Sequence, residues 1–273
     1  MQTLLIAGLM ICAVACSKQS NSEIVLKNIS YGTHAQQTID LYLPANRDTA
    51  RTKLMVLIHG GAWASGDKAD FAPYITELRK RLPNYAFANI NYRLFNNGQH
   101  KFPAQENDVQ AAIHWLMENR AEYGYSNQVV LLGASAGAHL ALLQGYKHQK
   151  PLAIISFFGP SDLVYLYNNP GYPAIPSLLA TITGATPAQN KAAYEASSPI
   201  HFVSPQSAPT LLLQGTADML VPPAQTKRLA DQLSKAGVVH QVEIYEGAGH
   251  GWTGARLTDS FDKIVNFLQS NVP

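Results

Sequence analysis

Short apolar or alternating runs punctuate the chain at Ile24–Ser30, Thr38–Leu43, Leu54–Ile58, Tyr85–Asn91, Val129–Leu132, Ala153–Phe158, Thr210–Leu213 and Val239–Tyr245. Their lengths and boundaries are those of strands. The runs at 54–58 (LMVLI) and 129–132 (VVLL) carry no polar position, as expected of strands covered on both faces. Helical spacing fills the gaps. Pro103 opens a stretch in which Val109, Ala112, Ile113, Leu116 and Met117 share one face, and Gly124 stands just past its end. Pro222 and Pro223 open another, ended near Gly237; Phe261, Ile264, Val265 and Leu268 mark the last. Strands alternating with helices predict an α/β fold, a mostly parallel sheet of about eight strands flanked by helices. The alternation breaks once, over residues 161–202. That stretch holds Pro170, Pro173, Pro176, Pro187 and Pro199 together with Tyr165, Tyr167, Tyr172 and Tyr194. A segment of this length between two core strands predicts a small lid insertion.

The N-terminus follows another logic. An apolar run from Leu4 to Val14 is too short to span a bilayer as a mature helix and has the form of a signal h-region. Small residues end it at Ala13-Val14-Ala15, directly before Cys16. This arrangement resembles a bacterial lipobox, which implies a signal peptide over 1–15, lipidation of Cys16, and export to the bacterial envelope. Polar residues 16–23 then read as the lipidated Cys and a tether, with the folded domain over 24–273. Cys12 and Cys16 are the only cysteines, so nothing in the domain can form a disulfide, a thiol nucleophile or a thiolate metal site.

Composition narrows the partner. Of 273 residues, 47% are hydrophobic and 14% charged, net charge is +2, and no Lys/Arg run occurs. This excludes the electrostatic footprint of a nucleic-acid binder and points to a small molecule. A single large domain suits the length.

The chemistry sits in four short segments. GASAG at 133–137 fits G-x-S-x-G, in which a serine stands on a sharp strand-to-helix turn and its neighbours must lack bulk. A strand-like run precedes it and a helical pattern (AGAHLALL) follows, the context the motif demands, so Ser135 is the candidate nucleophile. HGGAW at 59–63 ends another strand; its glycines let backbone N–H groups approach a reacting carbonyl. Gly61 and Ala62 from this loop, with Ala136 after the nucleophile, are the candidate oxyanion donors. His250 lies in EGAGHGW after the last strand, flanked by small residues, and is the candidate base; His139 and His59 are expected to pack or brace locally. Asp218 follows TLLLQGTA at a strand's C-terminal end, as the chain order Ser…Asp…His requires. Asp162 is its rival, and Asp231 falls within a helix.

Taken together, HGGAW, GASAG, GTAD and GAGHGW resemble the hormone-sensitive-lipase-like and feruloyl-esterase-like carboxylesterases of the α/β-hydrolase superfamily. The resemblance runs from about Ile24 to the C-terminus and favours Asp218 over Asp162. It implies hydrolysis of small acyl esters through an acyl-enzyme, on acetylated or feruloylated carbohydrate if export is any guide, with no metal or organic cofactor. Trp63 and Trp252, beside the motif residues, become candidate pocket walls. Arylformamidase or peptidase-type amide hydrolysis, and a non-catalytic binding module held at the cell surface, are the alternatives.

Overall fold

The computed structural model describes residues 22–148 and 150–272; the signal segment 1–15 and Cys16 lie outside them. Strands β1 (Ile24–Ser30), β2 (Thr38–Leu43), β3 (Lys53–Ile58), β4 (Tyr85–Ile90), β5 (Val129–Ala134), β6 (Ala153–Phe157), β7 (Thr210–Gly215) and β8 (His240–Tyr245) form one sheet in the order β1-β2-β4-β3-β5-β6-β7-β8. The first two pairings, β1 with β2 and β2 with β4, are antiparallel; every later one is parallel. All eight apolar runs are strands, displaced by no more than two residues at either end.

Helices α1 (Ala72–Arg81), α2 (Ala104–Glu118), α3 (Arg120–Tyr123), α4 (Ala136–Leu143), α5 (Leu163–Asn168), α6 (Ile175–Thr183), α7 (Lys191–Ala196), α8 (Ala224–Lys235) and α9 (Ala255–Asn271), with short 3₁₀ and π segments, are the helical elements of the described residues. The strand pleat divides the core in two. Leu54, Val56 and Ile58 face a cluster with Val109, Ile113, Leu140, Leu229 and Leu233, from α2, α4 and α8. Met55 and Leu57 face the opposite cluster, with Ile75, Leu78, Phe261, Ile264 and Phe267, from α1 and α9. Alternate side chains of one continuously apolar strand thus feed two cores, which is why Leu54–Ile58 of β3 and Val129–Leu132 of β5 carry no polar position.

Strand order positions the site. From β3 the chain moves to β4 on one side, then returns to pair β5 on the other side of β3. Loops leaving the C-terminal ends of β3 and β5 therefore diverge and leave a crevice between them, where sheets of this kind bind ligands. The loop after β3 is HGGAW, and the turn after β5 holds Ser135.

Segment 161–202 forms three short helices, α5, α6 and α7, and a 3₁₀ turn at Pro199–Phe202, joined by loops. Pro176 sits in the first turn of α6, where a missing N–H costs nothing, and Gly184 ends that helix with φ of 84°. One of the four tyrosines there, Tyr172, reaches the crevice. Tyr194 is fully buried and packs edge-on against Tyr167, while Arg228 lies over the ring of Tyr165.

Candidate active site

Ser135 has φ 54° and ψ −122°, a conformation that only glycine adopts without strain. Packing holds it there. Its N–H donates to the Phe157 carbonyl of β6 at 2.9 Å, and its own carbonyl accepts from His139 N at 3.0 Å as α4 begins. The two glycines of the motif are required for different contacts. A Cβ on Gly133 would collide with the backbone of Gly137, and one on Gly137 would collide with the Ile58 carbonyl. Gly133 thus permits the turn, and Gly137 lets α4 settle onto the end of β3. The N-terminus of α4 then lies directly after the serine, where its dipole favours developing negative charge.

His250 Nε2 lies 2.8 Å from Ser135 Oγ, and its Nδ1 lies 2.7 Å from Asp218 Oδ2. A carboxylate only accepts, so Nδ1 carries the hydrogen and Nε2 is free to accept from the serine hydroxyl. The Asp218 side chain is wholly buried and multiply bonded. Its Oδ1 accepts from the amides of Leu220 and Val221, each at 2.9 Å, and Oδ2 also accepts from Gln214 Nε2 at 3.2 Å. Gln214 is fixed in turn by Thr226 Oγ1, which donates to Gln214 Oε1 at 2.8 Å. Phe158 packs on the imidazole with centroids 4.6 Å apart, itself at a positive φ of 42°.

The loop after β3 is also strained, with positive φ at Gly61, Ala62 and Trp63. The Gly61 carbonyl is tied back by Ala64 N at 3.0 Å and Ser65 N at 2.9 Å. In a trans peptide the following N–H points the opposite way, so the Ala62 amide faces away from that turn. His59 Nδ1 likewise donates to the Gly60 carbonyl at 2.7 Å, orienting the Gly61 amide away from the imidazole. Gly61, Ala62 and Ala136 all line the cavity beside Ser135 and His250. His59 acts as the expected brace: it stacks on Tyr92 at 4.4 Å, and burial lowers its pKa, keeping it neutral.

The cavity has a volume of about 520 Å³, within the range of small-molecule sites. Its far wall is built by Leu166, Ile175, Leu178 and Leu179 of α5 and α6, residues the sequence reading did not single out. Ile175, Leu179 and Ile182, all buried, stand at i, i+4 and i+7, a helical signal available in the sequence.

Other expectations sort cleanly. Trp63 lines the cavity and donates its indole N–H to His139 Nδ1 at 3.3 Å. Trp252 lies outside the lining: its N–H donates to Ser260 Oγ at 2.8 Å and its ring packs on Tyr245 and Phe158, so it buttresses the His250 loop from behind. Asp162 caps α5 through Tyr165 N at 2.9 Å and pairs with Arg228 at 2.6 Å, away from His250. Asp231 is exposed and pairs with Lys227. His139 is fully buried, and its Nε2 donates to the Ser197 carbonyl at 2.7 Å. Among the described residues no group of three or more His, Cys, Asp or Glu side chains could hold a metal ion.

A sheet in which only β2 runs against the other strands, a strained serine elbow after β5 and a His–Asp pair after β8 and β7 define an α/β-hydrolase fold. The chain belongs to the BD-FAE family, whose model matches residues 39–233. Its sequence is 25% identical over 262 residues to Esterase LipC of Mycobacterium tuberculosis, covering 89% of this chain and 64% of the relative. It is 28% identical over 278 residues to the isoprenylcysteine alpha-carbonyl methylesterase ICME of Arabidopsis thaliana, covering 91% and 63%. The chain therefore spans less than two thirds of the length of either relative. Among solved structures, a truncated carbohydrate esterase from gut microbiota superposes with TM-score 0.78 at 23% identity, covering 93% of this chain and 98% of that one. The thermophilic esterase Est2 of Thermogutta terrifontis gives 0.73 at 24%, covering 91% and 92%. At these identities the two structures establish the fold.

Proposed function

We propose that the protein is a serine carboxylic-ester hydrolase with Ser135 as nucleophile, His250 as general base and acid, and Asp218 as the orienting carboxylate. The observation that carries this reading is the unbroken hydrogen-bonded line Asp218–His250–Ser135, opening on a cavity flanked by the Gly61, Ala62 and Ala136 amides. In this mechanism His250 Nε2 takes the hydroxyl proton as Ser135 Oγ bonds to the ester carbonyl carbon. The displaced electron pair becomes an oxyanion held by the three amides. Collapse breaks the bond to the alcohol, which leaves with the proton from His250. Water then repeats the sequence on the acyl-enzyme and regenerates the serine.

The names of the relatives support ester over amide chemistry. The test is hydrolysis of p-nitrophenyl acetate by residues 17–273, beside the Ser135→Ala variant. The variant is expected to lose at least about ten-thousandfold in kcat. Equal rates in both proteins would remove Ser135 from the mechanism. Absence of turnover together with absence of fluorophosphonate labelling at Ser135 would favour a non-catalytic binding role.

We also propose that the chain is exported and held at a membrane by a lipid on Cys16, on the strength of the lipobox-like sequence. Cys16→Ser is expected to move the protein from the membrane fraction to the soluble one; an unchanged distribution would refute anchoring through this residue.

A further inference from the structure

The cavity beside Ser135 differs in character from a site built for sugars. Six of its wall residues are Leu166, Ile175, Leu178, Leu179, Leu220 and Val221, and no Lys, Arg, Asp or Glu lines it among the described residues. Apart from the reacting Ser135 and His250, the polar side-chain groups in the lining are Ser65, the hydroxyl of Tyr172 and the indole N–H of Trp63, which is taken up by His139 Nδ1. Ser65 Oγ is already engaged, donating to the Gly61 carbonyl at 3.0 Å. A sugar hydroxyl entering this space would give up its hydrogen bonds to water with almost nothing to replace them, and an unpaired polar group is penalised on leaving water. An aliphatic chain would lose nothing and would free apolar wall from contact with water.

The apolar surface continues to the mouth. Tyr172, Met219 and Leu220 are 52%, 61% and 40% exposed, and it is their grouping at one place that is informative. Tyr172 and Leu220 line the cavity, and neighbouring Gly171 abuts the Met219 carbonyl, so the three form one rim. Wall and rim together make a continuous apolar path from the serine to solvent.

We propose that this site takes esters carrying an aliphatic chain of about six or more carbons, the chain lying against α5 and α6 and emerging past Tyr172 and Met219. The inference rests on the ester-hydrolase reading above. The chain can belong to the acyl group or to the alcohol, because both are attached to the carbonyl carbon that Ser135 attacks and the cavity adjoins that serine.

The experiment uses two series, p-nitrophenyl esters of straight-chain acids from acetate to decanoate and acetate esters of straight-chain alcohols, each below its aggregation concentration. Burial of a methylene is worth up to about a fourfold gain in kcat/KM. In at least one series kcat/KM is expected to rise about tenfold or more over the first four added methylenes. Leu178→Trp, which narrows the cavity from its half-buried wall, is expected to cut the hexanoate-to-acetate ratio about fivefold or more, with thermal unfolding checked in parallel. Tyr172→Ser changes an exposed residue and tests the rim without burdening the fold; it is expected to lower decanoate relative to hexanoate. A flat or falling profile in both series, with acetate still hydrolysed, overturns the aliphatic-chain proposal and leaves the esterase reading intact. No hydrolysis of any ester, with Ser135 unlabelled by fluorophosphonate, overturns both.

Discussion

His139 is a fully buried imidazole whose two nitrogens are both committed while it is neutral. Nε2 donates to the Ser197 carbonyl at 2.7 Å, and Nδ1 accepts from the Trp63 indole at 3.3 Å. Protonation would place a second hydrogen against the Trp63 N–H and a charge where water cannot reach it. Burial accordingly lowers its pKa from 6.5 to about 4, although the Ser197 carbonyl and the Glu106 carboxylate pull the other way. In the unfolded chain the same imidazole protonates near 6.5. Between these values the unfolded state binds the extra proton, so stability present above pH 6.5 is lost as pH falls towards 4. From pH 7 to pH 5 this one group removes about 2 kcal/mol. His139→Gln keeps an amide donor and acceptor but has no proton to gain. Urea unfolding at 25 °C, followed at both pH values for both proteins, isolates the effect because every other group titrates in each. The wild type is expected to lose about 2 kcal/mol more than the variant on going from pH 7 to pH 5. Equal losses would mean that His139 carries its charge in the folded state and that the arrangement described for it is wrong.

Three further expectations follow from particular contacts. Asp218→Asn keeps an oxygen for the Leu220 and Val221 amides but can no longer hold the imidazole in the reactive tautomer; kcat should fall about a thousandfold to ten-thousandfold with stability little changed, measured by ester turnover and unfolding together. Gly137→Ala drives a methyl into the Ile58 carbonyl and should cost about 3 kcal/mol or more, whereas Gly249→Ala, whose methyl meets nothing within 4 Å, should cost less than about 1 kcal/mol by the same unfolding assay. Trp252→Phe loses the hydrogen bond to Ser260 and should destabilise by about 1 kcal/mol while leaving KM within about twofold; a larger KM change would make Trp252 a pocket wall after all.

The strands were legible because their physics is local. Val129–Leu132 has no polar residue and no room for a helix, so only a doubly covered strand suits it. Ser135 and His250 announced themselves by small neighbours at a strand end and Asp218 by its place after an apolar strand between them in the chain, and the fold brings their side chains within hydrogen-bond distance. Their supports were not legible. Gln214 and Thr226, which steady Asp218, are ordinary residues in a strand and a helix whose meeting depends on tertiary packing. Phe158 has a conformation set by the β6 turn and no sequence sign of its contact with His250. The apolar wall was hidden because prolines and tyrosines dominate residues 161–202, masking the short helical period of α6. Trp252 misled for a related reason: adjacency in sequence to His250 places it behind the loop instead of inside the cavity.

The turn after β7 serves two purposes at once. The backbone amides of Leu220 and Val221 clasp Asp218, and their side chains face the cavity. A change of side chain there that shifts the turn alters the acid's grip on the imidazole as well as the shape of the site. Leu178 and Leu179 face the same cavity from α6, with no bond to the Asp–His–Ser line. Variation under selection for new substrates would therefore run unevenly around one pocket. The α6 side can drift freely while the 219–221 side stays fixed, so related enzymes should differ most across the cavity from their acid and least beside it.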